Sequence, residues 1–367
     1  MSVKDTELLD LLATTLPDLP KQEFEVGWDN QDYEWCRIMQ KSRYVINGGD
    51  MVERQIMLDN LGNVRYRRNY DTDEPSTGNV MHTIRAPWCR LSADYSWDEF
   101  EILRNKNDAK GFIDMMKVKR VEGLWGLAEL IENRAWKTPT SSTDDLYPYG
   151  VPYYIRMMDK DTTTDGFVGK TVRYQNGSTG TVCANIDAST EAKWRNYAAL
   201  YTNIDNSFLK AFRLAFMYTR FKAPLIVKDP SNKRTAQKRI YTDFDTTAQL
   251  MDLADAKDDN HKGKDVLGNL RVDDGGLAFI NRLPVVPIPQ LENVTDPETG
   301  DAASPVYTVD FKYFIPFIHQ GYWMKEKAPM TSVGQHTTFT VFLDGAHNNM
   351  CTNARLGGFV LHKALTA

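Results

Sequence analysis

The sequence predicts a mixed α+β fold in which strand-rich segments bracket a helical middle. Three observations predict it. Val64, Tyr66 and Tyr70 alternate with Arg65, Arg67 and Asn69, the two-residue period of a strand with one apolar and one polar face. Between residues 98 and 136, Phe112, Met115, Met116, Lys119, Val121, Leu124, Trp125, Ala128, Leu130 and Ile131 recur at three- and four-residue spacing, an apolar stripe of helical period. Strand-like runs fill the C-terminal part, at Tyr307–Phe317, Tyr322–Lys327, Gln335–Leu343 and Phe359–Lys363.

In chain order, residues 1–46 read as an extended arm, with a short helix at Thr6–Thr15 ended by Pro17 and Pro20. Residues 47–97 are β-rich. Val52–Asp59 and Asn63–Tyr70 form the expected hairpin, with turn chemistry from Asn60-Leu61-Gly62. A polar loop, Asp71–Gly78, leads to another strand-like run at Val80–Arg85. A helix over 98–136 would be on the order of 50 Å long at about 1.5 Å per residue, and Gly111, Gly123 and Gly126 are candidate kinks. Its apolar stripe needs a sheet or a neighbouring subunit as cover. Residues 137–190 are loop-rich around the aromatic segment Tyr149–Ile155. Trp194, Tyr197, Tyr201, Ile204, Phe208, Phe212, Ala215 and Tyr218 predict a second helical region, broken near Asn203–Asn206. A strand at Arg239–Tyr241, a helix at Thr246–Ala256, a polar loop over 257–275 and a strand at Leu277–Pro287 follow.

Composition narrows the function. An apolar content of 42% and an aromatic content of 11% support a substantial core across 367 residues, so a disordered chain is excluded. No apolar run is long enough to span a bilayer, and Met1–Glu7 has no secretory pattern. Cys36, Cys89, Cys183 and Cys351 are scattered without a C-x-x-C and read as four unpaired thiols of a reducing cytoplasm. The net charge of -5 conceals an asymmetry. Residues 1–36 carry nine acids, among them Asp5, Glu7, Asp10, Glu23 and Glu25, against two lysines. Residues 37–70 carry seven basic residues, among them Arg54, Arg65, Arg67 and Arg68, against three acids. Adjacent blocks of opposite sign suit contacts between copies of one chain, or else form two solvated faces that never meet.

The chemistry-bearing motifs are thin. Asp71-x-Asp73 and Asp159-x-Asp161-x-Thr163-x-Asp165 resemble calcium loops but lack the glycine at position 6 and the bidentate acid at position 12. The six histidines show no ligand spacing, and no nucleophile elbow or phosphate loop is present. The sequence predicts no catalytic residue, no metal and no cofactor.

The order of parts is the strongest signal: an acidic arm, a basic hairpin, a long helix, then an α/β region closing in strands. Ala86-Pro87-Trp88 with Ser96–Ile102, the run Gly123–Ile131, Trp194-Arg195-Asn196, Arg239–Asp245 and Asn348–Lys363 fall in the same order as in tailed-bacteriophage major capsid proteins, which this chain resembles over most of residues 45–363. The resemblance implies an α+β, Hong Kong ninety-seven-like fold. Its parts would be an N-terminal arm (1–46), an E-loop (47–97), a peripheral domain with a spine helix (98–190), a mainly axial domain (191–345) and returning C-terminal strands (346–367). It implies hexamers and pentamers closing into an icosahedral shell around double-stranded DNA, contacted non-specifically and without a membrane. Assembly would take place in the host cytoplasm, with a portal protein at one vertex and, in some members, a decoration protein. An encapsulin-like compartment shares the fold and is the alternative; a cytoplasmic enzyme with an unrecognised site is the third reading.

Some relatives cross-link subunits through an E-loop lysine. Here no lysine occurs between Lys41 and Lys106, so the expectation is non-covalent assembly through Arg54, Arg65, Arg67 and Arg68 against Asp5, Glu7, Asp10, Glu23 and Glu25 of neighbouring arms. The short arm further suggests a separate scaffolding protein and no maturation cleavage.

Overall fold

The computed structural model describes residues 33–58, 62–69, 71, 72, 78, 80–100, 109–220, 238–258, 270–272, 278–281, 283–332 and 334–365. The expected helix at Thr6–Thr15 and the acidic residues Asp5 to Glu25 lie outside them. Two compact units emerge, each assembled from distant stretches of sequence. The first takes Met1–Gly49, Trp88–Ala135 and Pro316–Asn348; the second takes Asp50–Pro87, Trp136–Ile315 and Asn349–Ala367.

The first unit is a six-stranded sheet with two helices. Its centre is the long strand Gln335–Cys351, which pairs with Cys89–Asp98 in unbroken antiparallel register from Thr338↔Asp98 to His347↔Cys89. Tyr44–Ile46 runs parallel to Phe317–His319 within this sheet. Helix α1, Glu34–Ser42, buries Trp35, Cys36, Ile38 and Met39. The expected extended arm is therefore helical over this stretch. Tyr33, at the N-cap, offers no side-chain cap, and a residue far along the chain supplies one instead. The buried carboxylate of Glu132 accepts from the Trp35 and Cys36 amides at 2.8 and 3.3 Å. A carboxylate at a helix N-terminus satisfies orphan donors and complements the helix dipole.

Helix α2, Ala109–Ala135, is 27 residues long, about 40 Å. Met116, Leu124, Leu127, Ala128, Ile131 and Ala135 form its buried face. Gly123 lets it approach the Cys89–Asp98 strand, since an added Cβ would sit 3.0 Å from the Tyr95 ring. Tyr95 donates to Glu326, and Arg120 reaches the same carboxylate at 3.1 Å, so helix, strand and the Lys325–Glu326 strand meet at one acid.

The second unit holds an eight-stranded sheet. Its strand order is Leu270–Val272, Ala278–Ile280, Leu283–Pro287, Lys238–Thr242, Val306–Asp310, Gly358–His362, Asn196–Leu200 and Gly166–Gly169. Two pairs are parallel, Asn196–Leu200 with Gly358–His362 and Lys238–Thr242 with Leu283–Pro287. Helix α3, Asn206–Tyr218, lays Phe208, Phe212 and Phe216 into a core with Phe359, Leu361, Ile240 and Val285. Asp205 caps it, accepting from the Ser207 and Phe208 amides at 2.8 and 3.1 Å. Helix α4 spans Phe244–Asp258. The helical reading of 194–203 is corrected here. Asn196–Leu200 is a strand next to the sheet edge, its first four residues buried, and the spacing of Trp194, Tyr197 and Tyr201 arises from a strand flanked by turns.

A buried ionic knot ties the unit together. Arg173 lies 2.9 Å from Asp296 and 3.3 Å from Glu298, and donates to the Met157 and Met158 carbonyls. The Met158 amide in turn donates to His362 Nε2 at 3.0 Å, while His362 Nδ1 bonds the Lys363 carbonyl at 2.7 Å. Those partners fix the neutral Nδ1–H tautomer.

Candidate assembly surface

The basic hairpin is real, but its strands are not the expected pair. Met51–Met57 pairs antiparallel with Met81–Pro87, from Met51↔Pro87 to Met57↔Met81. Residues 63–69 form no strand. The alternation there had predicted one, yet both of its faces are exposed, so no apolar face gains burial from pairing. Val64 and Tyr66 are 96% and 106% exposed, as open as in an extended chain.

The base of the hairpin is held within its own unit. Ile84 and Ala86 are fully buried. The Arg85 amide donates to the Ala184 carbonyl and Asn185 Nδ2 to the Thr83 carbonyl, each at 3.1 Å. Ala184 and Asn185 are the two turn residues between Val182–Cys183 and Ile186–Asp187, both at positive φ (50° and 72°), the geometry of a tight primed turn. Arg85 also pairs with Glu53 across the ribbon at 2.7 Å. This docking turn escaped sequence reading; the signal was two polar-tolerant residues between short apolar runs.

The tip is held by local hydrogen bonds between side chains and backbone. Arg65 donates to the Thr72 carbonyl, Arg67 to the Asp71 carbonyl at 2.8 Å, and the Arg68 amide to Asp71 Oδ2 at 2.7 Å. Of the predicted contact residues, the structure therefore brings Arg65, Arg67 and Arg68 together in one exposed loop, with Arg54 exposed on the first strand. Their expected acidic partners lie outside the described residues.

One concave region is a candidate chemical site. A cleft of about 460 Å³ in the second unit is lined by Trp136, Arg156, Arg173, Gln175 and Gln290. Both of its arginines are occupied by the fold: Arg156 donates to Asn196 and to the Lys170 and Trp194 carbonyls, and Arg173 sits in the knot. The four cysteines form no disulfide and are buried. Burial pushes the Cys183 thiol up to about 11 and Cys351 to about 12, the opposite of what a nucleophile requires. Among the described residues, no group of three or more His, Cys, Asp or Glu side chains could hold a metal.

No protein-family model and no curated protein matches the sequence. Solved structures do match the fold. The chain is similar to a capsid subunit of cyanophage A-1(L), at 13% identity and a TM-score of 0.57, over 90% of this chain and 93% of that one. It is also similar to a capsid subunit of the native GTA particle, at 12% identity and a TM-score of 0.50, over 89% of each chain. The α+β phage-capsid fold expected from the order of parts is the fold of this chain.

Proposed function

We propose that this chain is the major capsid subunit of a tailed bacteriophage. In this reading it forms hexamers and pentamers that close into an icosahedral shell around double-stranded DNA, assembled in the host cytoplasm. The observation that carries it is the capsid-subunit fold over nine-tenths of the chain. The hairpin adds support: a ribbon whose tip exposes Val64 and Tyr66 completely is poised for a neighbour's surface, because a two-stranded ribbon is marginal alone. The exposed arginines of the tip offer planar donors suited to carboxylates of a neighbouring arm. The mild negative net charge suits a container that does not grip its genome. The partners in this reading are further copies of the chain, a portal protein at one vertex and a separate scaffolding protein.

Negative-stain microscopy of the expressed protein, with and without its neighbouring open reading frames, tests this. Capsomers and shells containing DNA are expected; a small discrete oligomer by light scattering would overturn the reading, and shells loaded with protein cargo would indicate a cellular compartment instead. Boiling shells in denaturant should release one band at the 41.9 kDa of the monomer. A covalent ladder would contradict non-covalent assembly through the lysine-free hairpin.

A further inference from the structure

The two arginines that line the cleft of the second unit are both buried, and they differ in how their charge is met. Arg173 is 5% exposed and has carboxylates of Asp296, Glu298 and Asp159 at 2.9, 3.3 and 3.9 Å. Arg156 is 1% exposed and has no carboxylate partner among the described residues. Its side chain donates to the Asn196 side-chain oxygen and to the Lys170 and Trp194 carbonyls, which are neutral acceptors. The ionisable groups that feel its field are neutral as well. Burial pushes Cys183 up to about 11, Cys351 to about 12 and Tyr174 to about 12, so each keeps its proton near pH 7. These bonds position the guanidinium without neutralising it. A buried cation lacking an anion is destabilising, and a counter-ion relieves it.

The rest of the cleft indicates what anion would fit. Lys137 is exposed, lines the same cleft and has no ion pair among the described residues, so it adds a second cation. The lining acid Glu292 is engaged by the Phe244 amide at 3.2 Å. The side-chain oxygen of Gln290 is buried and meets no donor among the described residues. An N–H from a ligand would satisfy it. Trp136, Met157 and Leu291 supply apolar wall. The volume, about 460 Å³, falls in the range of small-molecule sites. The acids gathered around Arg173 oppose a doubly charged head, which favours a carboxylate over a phosphate dianion.

We propose that this cleft binds a carboxylate that carries a neighbouring N–H and an apolar side chain, the chemistry of a peptide's C-terminal residue. A guanidinium has five N–H groups, and the three bonds above leave two of Arg156 for the carboxylate. Planar pairing of this kind suits arginine, and capture of a terminal carboxylate is a recurrent mode of peptide recognition. The ligand N–H donates to Gln290, and its side chain lies against Trp136. The site belongs to one subunit, so it stands or falls independently of shell formation.

The test is a ligand-observed NMR titration of the full-length subunit with N-acetyl-leucine and with its neutral amide, N-acetyl-leucinamide. The acid should bind at least about tenfold more tightly than the amide, since a hydrogen bond to a charged group exceeds a neutral one by about that factor. Arg156→Gln should bring the ratio close to one, with a single cooperative urea transition reporting that the variant is folded. Lys137→Ala, at an exposed position, should weaken the acid severalfold and leave the amide unchanged, and it decides the matter if Arg156→Gln does not fold. Equal binding of acid and amide, binding of neither, or an acid preference that survives both substitutions would overturn the proposal. Tighter binding of inorganic phosphate than of the acid would overturn it too.

Discussion

The eight-stranded sheet and the hairpin are both built from strands, and they differ in what covers them. The sheet buries every residue of Val306–Asp310 and Gly358–His362, packs three phenylalanines of α3 against it, and locks its edge loops with the Arg173 knot. The ribbon Met51–Met57 and Met81–Pro87 buries only Ile84 and Ala86 fully, and at its tip the described residues 62–69 are all exposed. One region is complete within the chain. The other is furnished with apolar and charged side chains whose burial must come from elsewhere. On the proposed capsid reading, stability and assembly would be written in separate residues, and substitutions should separate them.

The largest effect should come from the knot. Arg173→Met leaves Asp296 buried without its cation, and removing one partner of a buried pair costs about 3–5 kcal/mol. Urea unfolding of the isolated subunit checks this; a loss below about 1 kcal/mol, the range of an exposed pair, would erase the contrast between sheet and hairpin.

Acid should act on the sheet next. Burial first, and Arg173 nearby, lower His362 from 6.5 to about 4. The imidazole is neutral in the folded state and takes up a proton more readily when unfolded. Its contribution is therefore fully present above pH 6.5 and is lost as the pH falls from 6.5 towards 4, by about 3 kcal/mol in total. Burial likewise lowers His347 to about 4, so stability measured at pH 7 and pH 5 should show the summed slope of both histidines, and His362→Gln should reduce it by about half. An unchanged slope would remove His362 from the account.

The smallest effect on the subunit should come from the hairpin tip. Arg65→Ala/Arg67→Ala/Arg68→Ala should alter subunit stability by no more than about 0.5 kcal/mol, because these side chains are exposed. The same variant should weaken capsomers, and added salt should weaken wild-type capsomers likewise, since exposed pairs are screened within about 10 Å at 0.1 M. Loss of subunit stability with normal assembly would invert the comparison.

Much of this was legible in the sequence. Helix α2, the strand at Lys238–Thr242 and the closing strand Gly358–His362 lie close to where the sequence reading expects them, although Val121, Trp125 and Leu130 of the expected apolar stripe are exposed. What escaped had physical causes. The pairing of Met51–Met57 with Met81–Pro87 skips a nearer strand-like run, because register is chosen by burial at Ile84 and Ala86 rather than by proximity. Asn196–Leu200 was read as helix because a fully buried strand shows no alternation. The cap that Glu132 places on α1, from 96 residues away, has no local signature at all. The arginines of the tip were legible as exposed charge, yet their binding to the Thr72 and Asp71 carbonyls was not, since it depends on how the loop folds back.

The interleaving of the two units also governs when this protein can exist. Strand Cys89–Asp98 waits for Thr338–His347, and the eight-stranded sheet has a gap between Asn196–Leu200 and Val306–Asp310 until Gly358–His362 arrives. Pairings across such long stretches of sequence are slow to form. A ribosome must release the chain through Gly358–His362 before the eight-stranded sheet can close. On the proposed capsid reading, subunits without that strand have no finished surface to offer a growing particle, and its codons act as the gate through which every copy would enter the assembly pool.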